Sequence, residues 1–164
     1  MKRILGIDPG FAATGWGIVD ASGTRFNHIS HGYIKTLPSD TIGVRLDFIF
    51  RNIVAIINEY HPVCAGIEEI FFARNKISAL PVAQAKGVIL LALEQSGINT
   101  VAYTPLQIKQ ALTGNGRADK NQVQDMVKLL LGLKETIKPD HSADALAAAI
   151  CYQNNSTMED YSRD

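Results

Sequence analysis

This chain of 164 residues has only two cysteines, a formal net charge of zero at pH 7 and no long apolar run. Its two cysteines, Cys64 and Cys151, lie in apolar stretches without the spacing of a metal site or the density of a secreted disulfide scaffold, so we expect buried thiols. No apolar run approaches the roughly 18 residues of a membrane-spanning helix, and no signal-peptide pattern opens the chain. The sequence therefore predicts a soluble, cytoplasmic protein with no membrane contact.

Apolar side chains, in contrast, are numerous enough to form one ordinary core. They make up 46% of the sequence and include six Phe, five Tyr and one Trp. Such a chain can bury enough surface to offset the entropy lost on folding. The length suits a single domain, which we expect over residues 1–153, followed by a polar and flexible tail over residues 154–164.

The 16 basic and 16 acidic residues balance, but they are unevenly distributed. Residues 71–138 contain nine basic and four acidic groups, whereas residues 139–164 contain one basic and five acidic groups. A basic middle segment is a candidate contact surface for nucleic acid. A mixed, solvated helix surface can show the same surplus, so charge alone does not decide between the two.

The hydrophobic pattern predicts an α/β domain built on a mixed five-stranded sheet. An antiparallel meander of three strands comes first, because aromatic and β-branched residues without a helical period extend to Thr36. A helix is expected from Pro38–Asp40 to about Pro62. The later elements are strands at 63–67 and 99–103, and helices at 78–96, 106–112, 121–133 and 141–152. Strands connected through helices run parallel, so parallel strands follow the meander and helices flank the sheet.

Two carboxylates stand at the ends of apolar strands. Asp8 follows the first strand and Glu68 follows the strand that begins at Val63. If these strands are neighbours, the two carboxylates converge, and burying both is costly unless a divalent cation or a shared proton compensates. Asp-Pro-Gly is also a turn signal, and a strand end can carry a solvated Glu, so both alternatives remain.

His141 and Asp144 form a second pair of candidate ligands. A spacing of three residues places both on one face of the last helix. Asp144 lies in an alanine-rich stretch where an unpaired carboxylate is unfavourable, so we expect a positive partner. A single histidine at a helix start more often caps the helix or faces water, and Asp140 is the expected N-cap.

Taken together, these motifs resemble the RuvC family of bacterial Holliday-junction resolvases. The segments occur in the family's order and spacing over nearly the whole chain: Gly6–Gly10, Thr14–Gly17, Ile67–Phe71 and His141–Ala147. The resemblance implies an RNase H-like fold, a homodimer and Mg²⁺-dependent nicking of four-way DNA junctions at two symmetric phosphodiesters. It also implies 5′-phosphate and 3′-hydroxyl ends, a role in recombination and repair, and the branch-migration proteins RuvA and RuvB as partners.

The same resemblance assigns the site residues. Asp8, Glu68 and Asp144 fall on the family's catalytic acids, and His141 falls on the fourth catalytic position, where many members carry Asp. All four are the implied metal ligands, for two Mg²⁺ ions. Histidine brings nitrogen, which suits Mn²⁺ better than Mg²⁺, or it orients or deprotonates water instead.

The implied DNA contacts are aromatic and basic. Phe71 and Phe72 directly follow the Glu68 strand end, where aromatic rings can stack on or wedge between unpaired bases. We expect one of the two to pack beneath its own loop instead. Arg74, Lys109 and Lys120 match basic positions that the family uses near phosphates.

Three other functions compete with junction resolution. A non-catalytic α/β module explains the fold but not four ligand-type residues at two strand ends and one helix face. An ATPase of the actin and sugar-kinase type needs two such domains, and 164 residues supply one. Another RNase H-like nuclease, acting on RNA–DNA hybrids or ribosomal RNA precursors, keeps the fold and changes the substrate. For the homodimer, the helix around Val88 to Leu93 is a candidate interface, with core packing as its alternative.

Overall fold

A computed structural model describes residues 1–70 and 76–161 of the chain. It contains a five-stranded sheet with helices on both faces, in the order β1 (Lys2–Asp8), β2 (Ala13–Ser22), β3 (Arg25–Lys35), α1 (Ile42–Tyr60), β4 (Cys64–Glu68), α2 (Lys76–Gln95), β5 (Asn99–Tyr103), α3 (Pro105–Thr113), α4 (Lys120–Leu130) and α5 (Asp140–Tyr161). None of the helices in these two ranges is long and apolar enough to cross a membrane.

The strands lie in the order β3-β2-β1-β4-β5. β1, β2 and β3 form the antiparallel meander, whereas β4 runs parallel to β1 on one side and to β5 on the other. The predicted mixed α/β sheet is therefore confirmed. β1 and β4 lie at the centre because their apolar side chains are buried on both faces, which a strand at the sheet edge does not require.

Two hydrophobic cores lie on opposite faces of the sheet. One face packs against α3, α4 and α5, and the other against α1 and α2. The alternating directions of strand side chains explain this division, since Ile4 faces the first core and Leu5 the second. Cys64 and Cys151 are both buried as free thiols in the first core, as predicted.

Helix α5 approaches the sheet unusually closely. A Cβ atom at Gly6 would lie 1.8 Å from the carbonyl oxygen of Ala145, and one at Gly15 would lie 1.9 Å from that of His141. Glycine in the strands and alanine in the helix together allow this approach, since neither adds bulk between the two backbones. The contact fixes the beginning of α5 above the carboxyl end of β1.

Several helix boundaries differ from the prediction; α4, for example, ends at Leu130 and not at residue 133. α1 begins at Ile42 with Thr41 as its N-cap, because the Thr41 side chain accepts the backbone N–H of Val44. Asp119 is the N-cap of α4, and Gln122 completes a capping box with it. The last helix continues beyond the predicted end at Tyr152 to Tyr161. α2 begins two residues earlier than predicted and tolerates Pro81 within its first turns.

Replacing Gly6 by alanine tests the contact between α5 and the sheet. The added methyl group would meet three backbone atoms of α5 within 3.0 Å, so the helix must move. We expect Gly6→Ala to lower the free energy of unfolding by about 3 kcal/mol, measured by urea denaturation. Gly43→Ala is the matched control, because its Cβ would meet nothing within 4 Å, and it should leave stability equal or slightly higher. Equal stability of the two variants would contradict the close contact.

Candidate active site

The two strand-end carboxylates lie side by side. β1 and β4 are parallel neighbours, with Ile7 paired to Ile67, so the residues that follow them, Asp8 and Glu68, stand at the same edge of the sheet. The two carboxyl groups are close enough for each to shift the pKa of the other. The convergence expected from the strand pattern is therefore present in the structure.

The first turn of α5 brings two more groups to this edge. His141 Nδ1 lies 2.9 Å from Asp8 Oδ2. Asp144, one helical turn further, carries a negative charge that raises the pKa values of both Asp8 and Glu68, so it is close enough to interact with them. Their positions follow from the glycine contact described above, because the backbone of His141 rests on Gly15.

Burial makes this acidic cluster hold a proton. It raises the pKa of Asp8 to about 6, with the charge of Asp144 adding to the effect. It raises the pKa of Glu68 to about 8, and the neighbouring Asp8 carboxylate raises it further. Glu68, whose pKa is the higher of the two, is therefore the carboxyl group that keeps its proton beside Asp8 at neutral pH. The burial of Asp144 also raises its pKa, although Lys120 opposes the shift.

Lys120, the first residue of α4, supplies a positive charge to the cluster. Its Nζ atom lies 3.2 Å from Asp140 Oδ2 and 3.6 Å from Asp144 Oδ2. Burial alone would lower the pKa of this lysine, but the hydrogen bond to Asp140 and the charges of both aspartates raise it. The expected positive partner of Asp144 is thus Lys120, a residue for which the family resemblance implies a contact with DNA phosphates.

Asp140 does not have the role predicted for it. It was expected to be the N-cap of the last helix, but it is the first residue of α5. Its carboxylate accepts hydrogen bonds from Lys138, Lys120 and Gln124, which lower its pKa to about 2. Asp140 therefore holds Lys120 beside the acidic cluster, a role that local sequence could not reveal because Lys120 and Gln124 lie on another helix, α4.

An open pocket of about 240 Å³ adjoins the carboxylates. Two of the predicted DNA-contacting lysines, Lys109 and Lys120, line it together with Glu68, Asp144, Pro105, Ile108, Val123 and Ala147. Both charge signs thus meet in one cleft. The other three predicted DNA contacts, Phe71, Phe72 and Arg74, lie outside the described residues.

Asp8, Glu68, His141 and Asp144 provide donor atoms that suit a divalent cation. Within residues 1–70 and 76–161, no three His, Cys, Asp or Glu side chains are grouped as metal ligands. A proton on Glu68, whose pKa burial raises, and the ammonium group of Lys120 offset part of the negative charge. Carboxylate oxygens are the ligands that hard cations prefer, and a bound cation would relieve the same repulsion that now raises the pKa values.

One ion pair at this edge was not foreseen. The side chain of Lys86, on α2, forms an ion pair with Glu69, the residue after Glu68, and Lys86 is largely buried. This contact ties α2 to the end of β4 and lowers the pKa of Glu69. The sequence offered no signal for it, since the two residues are separated by the segment around residues 71–75.

Known proteins resemble this chain over nearly its full length. A sequence profile of the family described as Crossover junction endodeoxyribonuclease RuvC matches residues 4–152. A relative of that name from Treponema denticola is 52% identical over 147 residues, covering 90% of this chain and 83% of the relative. Another, from Caldicellulosiruptor saccharolyticus, is 46% identical over 163 residues, covering 99% and 98%.

Solved structures show the same architecture. Thermus thermophilus RuvC superimposes with a TM-score of 0.90 at 35% identity, covering 96% of each chain. RuvC of the same organism in complex with a Holliday junction substrate superimposes with a TM-score of 0.93 at 34% identity, covering 97% of each chain. The RNase H-like fold expected from the sequence is confirmed.

Glu68→Gln should make the metal-free protein more stable at alkaline pH. A carboxyl whose folded-state pKa is raised keeps its proton in the folded chain where the unfolded chain has lost it. Wild-type stability should therefore decline as pH rises from about 4.5, the ordinary value for Glu, to about 8, the value for Glu68 in the fold. The variant has no such proton to lose, and we expect it to exceed the wild type by about 2 kcal/mol at pH 9.

The measurement is urea denaturation in EDTA at pH 5 and pH 9. Glu59→Gln, on the last turn of α1 and outside the acidic cluster, is the matched control and should show no gain that grows with pH. A difference between Glu68→Gln and the wild type that stays constant over this range would contradict the proton on Glu68.

Proposed function

The chain belongs to the RuvC family of crossover junction endodeoxyribonucleases, and we propose that it resolves four-way DNA junctions by two symmetric, metal-dependent phosphodiester hydrolyses. The observation that supports this proposal is the cluster of Asp8, Glu68 and Asp144, with His141, in a cleft that also contains two lysines. The implied reaction breaks the bond between phosphorus and the 3′ oxygen. Water supplies the oxygen of the new 5′-phosphate, and the 3′ oxygen takes up a proton.

Asp8, Glu68, His141 and Asp144 are the residues that would hold the metal ions. Members of this family are metal-dependent nucleases, and Mg²⁺, two ions per site, is the proposed cofactor, with Mn²⁺ as an alternative. When bound, such cations polarise the scissile phosphate and lower the pKa of a water molecule. The three carboxylates bind and orient the cations, and each must give up any proton it holds before it can do so.

His141 and the two lysines have distinct proposed roles. His141 orients Asp8 through the 2.9 Å contact between Nδ1 and Oδ2, and its ring can accept or donate a proton at the site. Lys109 and Lys120 line the same pocket as Glu68 and Asp144, where their ammonium groups can bind the phosphates that flank the scissile bond. Asp140 limits how far Lys120 can move, because its carboxylate lies 3.2 Å from the lysine Nζ atom.

The remaining expectations extend the proposal beyond the site. A junction with two-fold symmetry offers two equivalent bonds, so a symmetric homodimer can cut both. We infer a homodimer for this reason, acting in the cytoplasm in recombination and repair alongside the branch-migration proteins RuvA and RuvB. A single nuclease domain over residues 1–153 and a polar tail over residues 154–164, the first part of which continues α5 as far as Tyr161, complete the proposal.

Cleavage of a labelled synthetic four-way junction tests this function. We expect paired, ligatable nicks in the junction with Mg²⁺ or Mn²⁺, and none in EDTA, in a matched linear duplex or in an RNA–DNA hybrid. Asp8→Asn should lower cleavage by about a thousandfold, because it removes a carboxylate that holds the metal. It should still bind the junction in a mobility-shift assay, since the amide leaves the lysines in place.

The controls separate the competing functions. Asp47→Asn, on the exposed face of α1, should cleave like the wild type. Cutting of the hybrid in preference to the junction would favour another RNase H-like nuclease. Absence of metal-dependent cutting in every substrate would overturn the proposed function while leaving the fold unaffected.

His141→Asp tests whether this residue binds the metal. Replacing an imidazole nitrogen by a carboxylate oxygen favours Mg²⁺ over Mn²⁺, since Mg²⁺ strongly prefers oxygen ligands. We expect the ratio of Mg²⁺-supported to Mn²⁺-supported cleavage rates to rise by about tenfold, equivalent to roughly 1.4 kcal/mol. An unchanged ratio with a lower rate in both metals would instead indicate that His141 acts on water.

A further inference from the structure

Two histidines on β3 contact each other away from the carboxylate cluster. His28 Nε2 lies 2.8 Å from His31 Nδ1, and the ring centroids are 4.9 Å apart. Both side chains are half-buried. The sequence contains only four histidines, and neither of these two belongs to the site described above. The pair therefore needs a separate explanation.

A β-bulge brings the two imidazoles to the same face. Residues three apart in a regular strand point to opposite sides of the sheet. The register between β2 and β3 shifts between Ile18 and Val19, so that Ile29 is an extra residue on β3. This extra residue returns His28 to the face of His31. Bulges often redirect a side chain for a functional reason, and here two potential metal ligands are brought to hydrogen-bond distance.

The electrostatic surroundings keep both rings neutral. Burial lowers the pKa of each imidazole, and the proximity of His31 lowers that of His28 further. Across residues 1–70 and 76–161, no carboxylate forms an ion pair with either ring. Each ring therefore has one nitrogen lone pair at pH 7, and one N–H donates to the other ring. Neutral imidazole is the form that binds metal ions.

We propose that His28 and His31 form a second metal site, which takes late first-row divalent ions and binds Cu²⁺ most strongly. Metal–nitrogen bonds of about 2.0–2.1 Å place two adjacent ligand nitrogens about 3 Å apart at a right angle. The observed separation of 2.8 Å is close to this value. For both contact nitrogens to bind one ion, the ring that donates the hydrogen bond moves its proton to its other nitrogen, and both rings then stay neutral. His28 Nε2 and His31 Nδ1 can then direct their lone pairs to the ion after a small rotation about the Cβ–Cγ bonds, and water completes the coordination.

The two metal sites are chemically distinct. Imidazole favours Cu²⁺, Ni²⁺ and Zn²⁺, and Cu²⁺ leads the affinity order among divalent first-row ions. The carboxylate cluster favours hard cations such as Mg²⁺. An excess of Mg²⁺ should therefore occupy the carboxylates without displacing Cu²⁺ from the histidine pair, which allows the two sites to be examined separately.

Electron paramagnetic resonance of the full chain tests the proposal. With one equivalent of Cu²⁺ in excess Mg²⁺, we expect the nitrogen coupling of two coordinated imidazoles in the wild type. His28→Asn and His31→Asn should each reduce the count to one and weaken Cu²⁺ binding by about tenfold or more, measured by titration calorimetry. Circular dichroism verifies that both variants fold.

Two histidine variants serve as controls. His61→Asn, at the C-cap of α1 with a φ of 51°, places a residue that tolerates the left-handed region. It and His141→Asn should both retain the two-imidazole signal. Fewer than two imidazoles on the wild-type Cu²⁺ would overturn the proposal without any variant. Unchanged affinity in His28→Asn, or loss of the signal in His141→Asn, would overturn it as well.

Discussion

Helix α5 rests directly on the backbone of the central strands, because Gly6, Gly15 and Gly66 leave no side chain between them. A methyl group at any of these positions would lie within 2.4 Å of a helix carbonyl oxygen. The distance between helix and sheet is therefore set by two backbones and not by flexible side chains. Since His141 and Asp144 belong to the first turns of this helix, the same contact determines how near they lie to Asp8.

This arrangement gathers negative charge where solvation is poor, and the fold compensates it with nearby groups. Glu68 retains a proton, Lys120 approaches Asp144, and Asp140 holds Lys120 in turn. Buried charges are tolerated only with such partners. Asp140, the most exposed of these acids, keeps its charge because three donors surround it. The negative charge of the cluster is thus offset by the proton on Glu68 in the interior and by Lys120 nearer the surface. A bound metal ion could replace the proton on Glu68.

Local sequence pattern was sufficient for the sheet and for the main acidic residues. Apolar runs ending in Asp8 and Glu68 indicate strand ends. The two reversals of the meander make β3 parallel to β1, and the crossover through α1 then makes β4 parallel to both. Local sequence pattern could not predict the ion-pair partners of Lys120 and Lys86, because both ion pairs join residues that are far apart in the chain. The contact of His28 with His31 depends on a bulge, whose extra residue has no distinctive sequence signature.

Acidic and basic side chains line the same cleft, although the net charge of the whole chain is zero. Under the proposed function, the carboxylate of Asp144 would repel a DNA phosphate in this cleft, whereas Lys109 and Lys120 would attract it. A cation on the carboxylates would remove this repulsion, and the lysines could then bind the phosphate. The phosphate in turn adds negative charge beside the cation and so favours its binding. By thermodynamic linkage these two effects are equal in free energy, so metal and DNA must each increase the affinity for the other to the same extent.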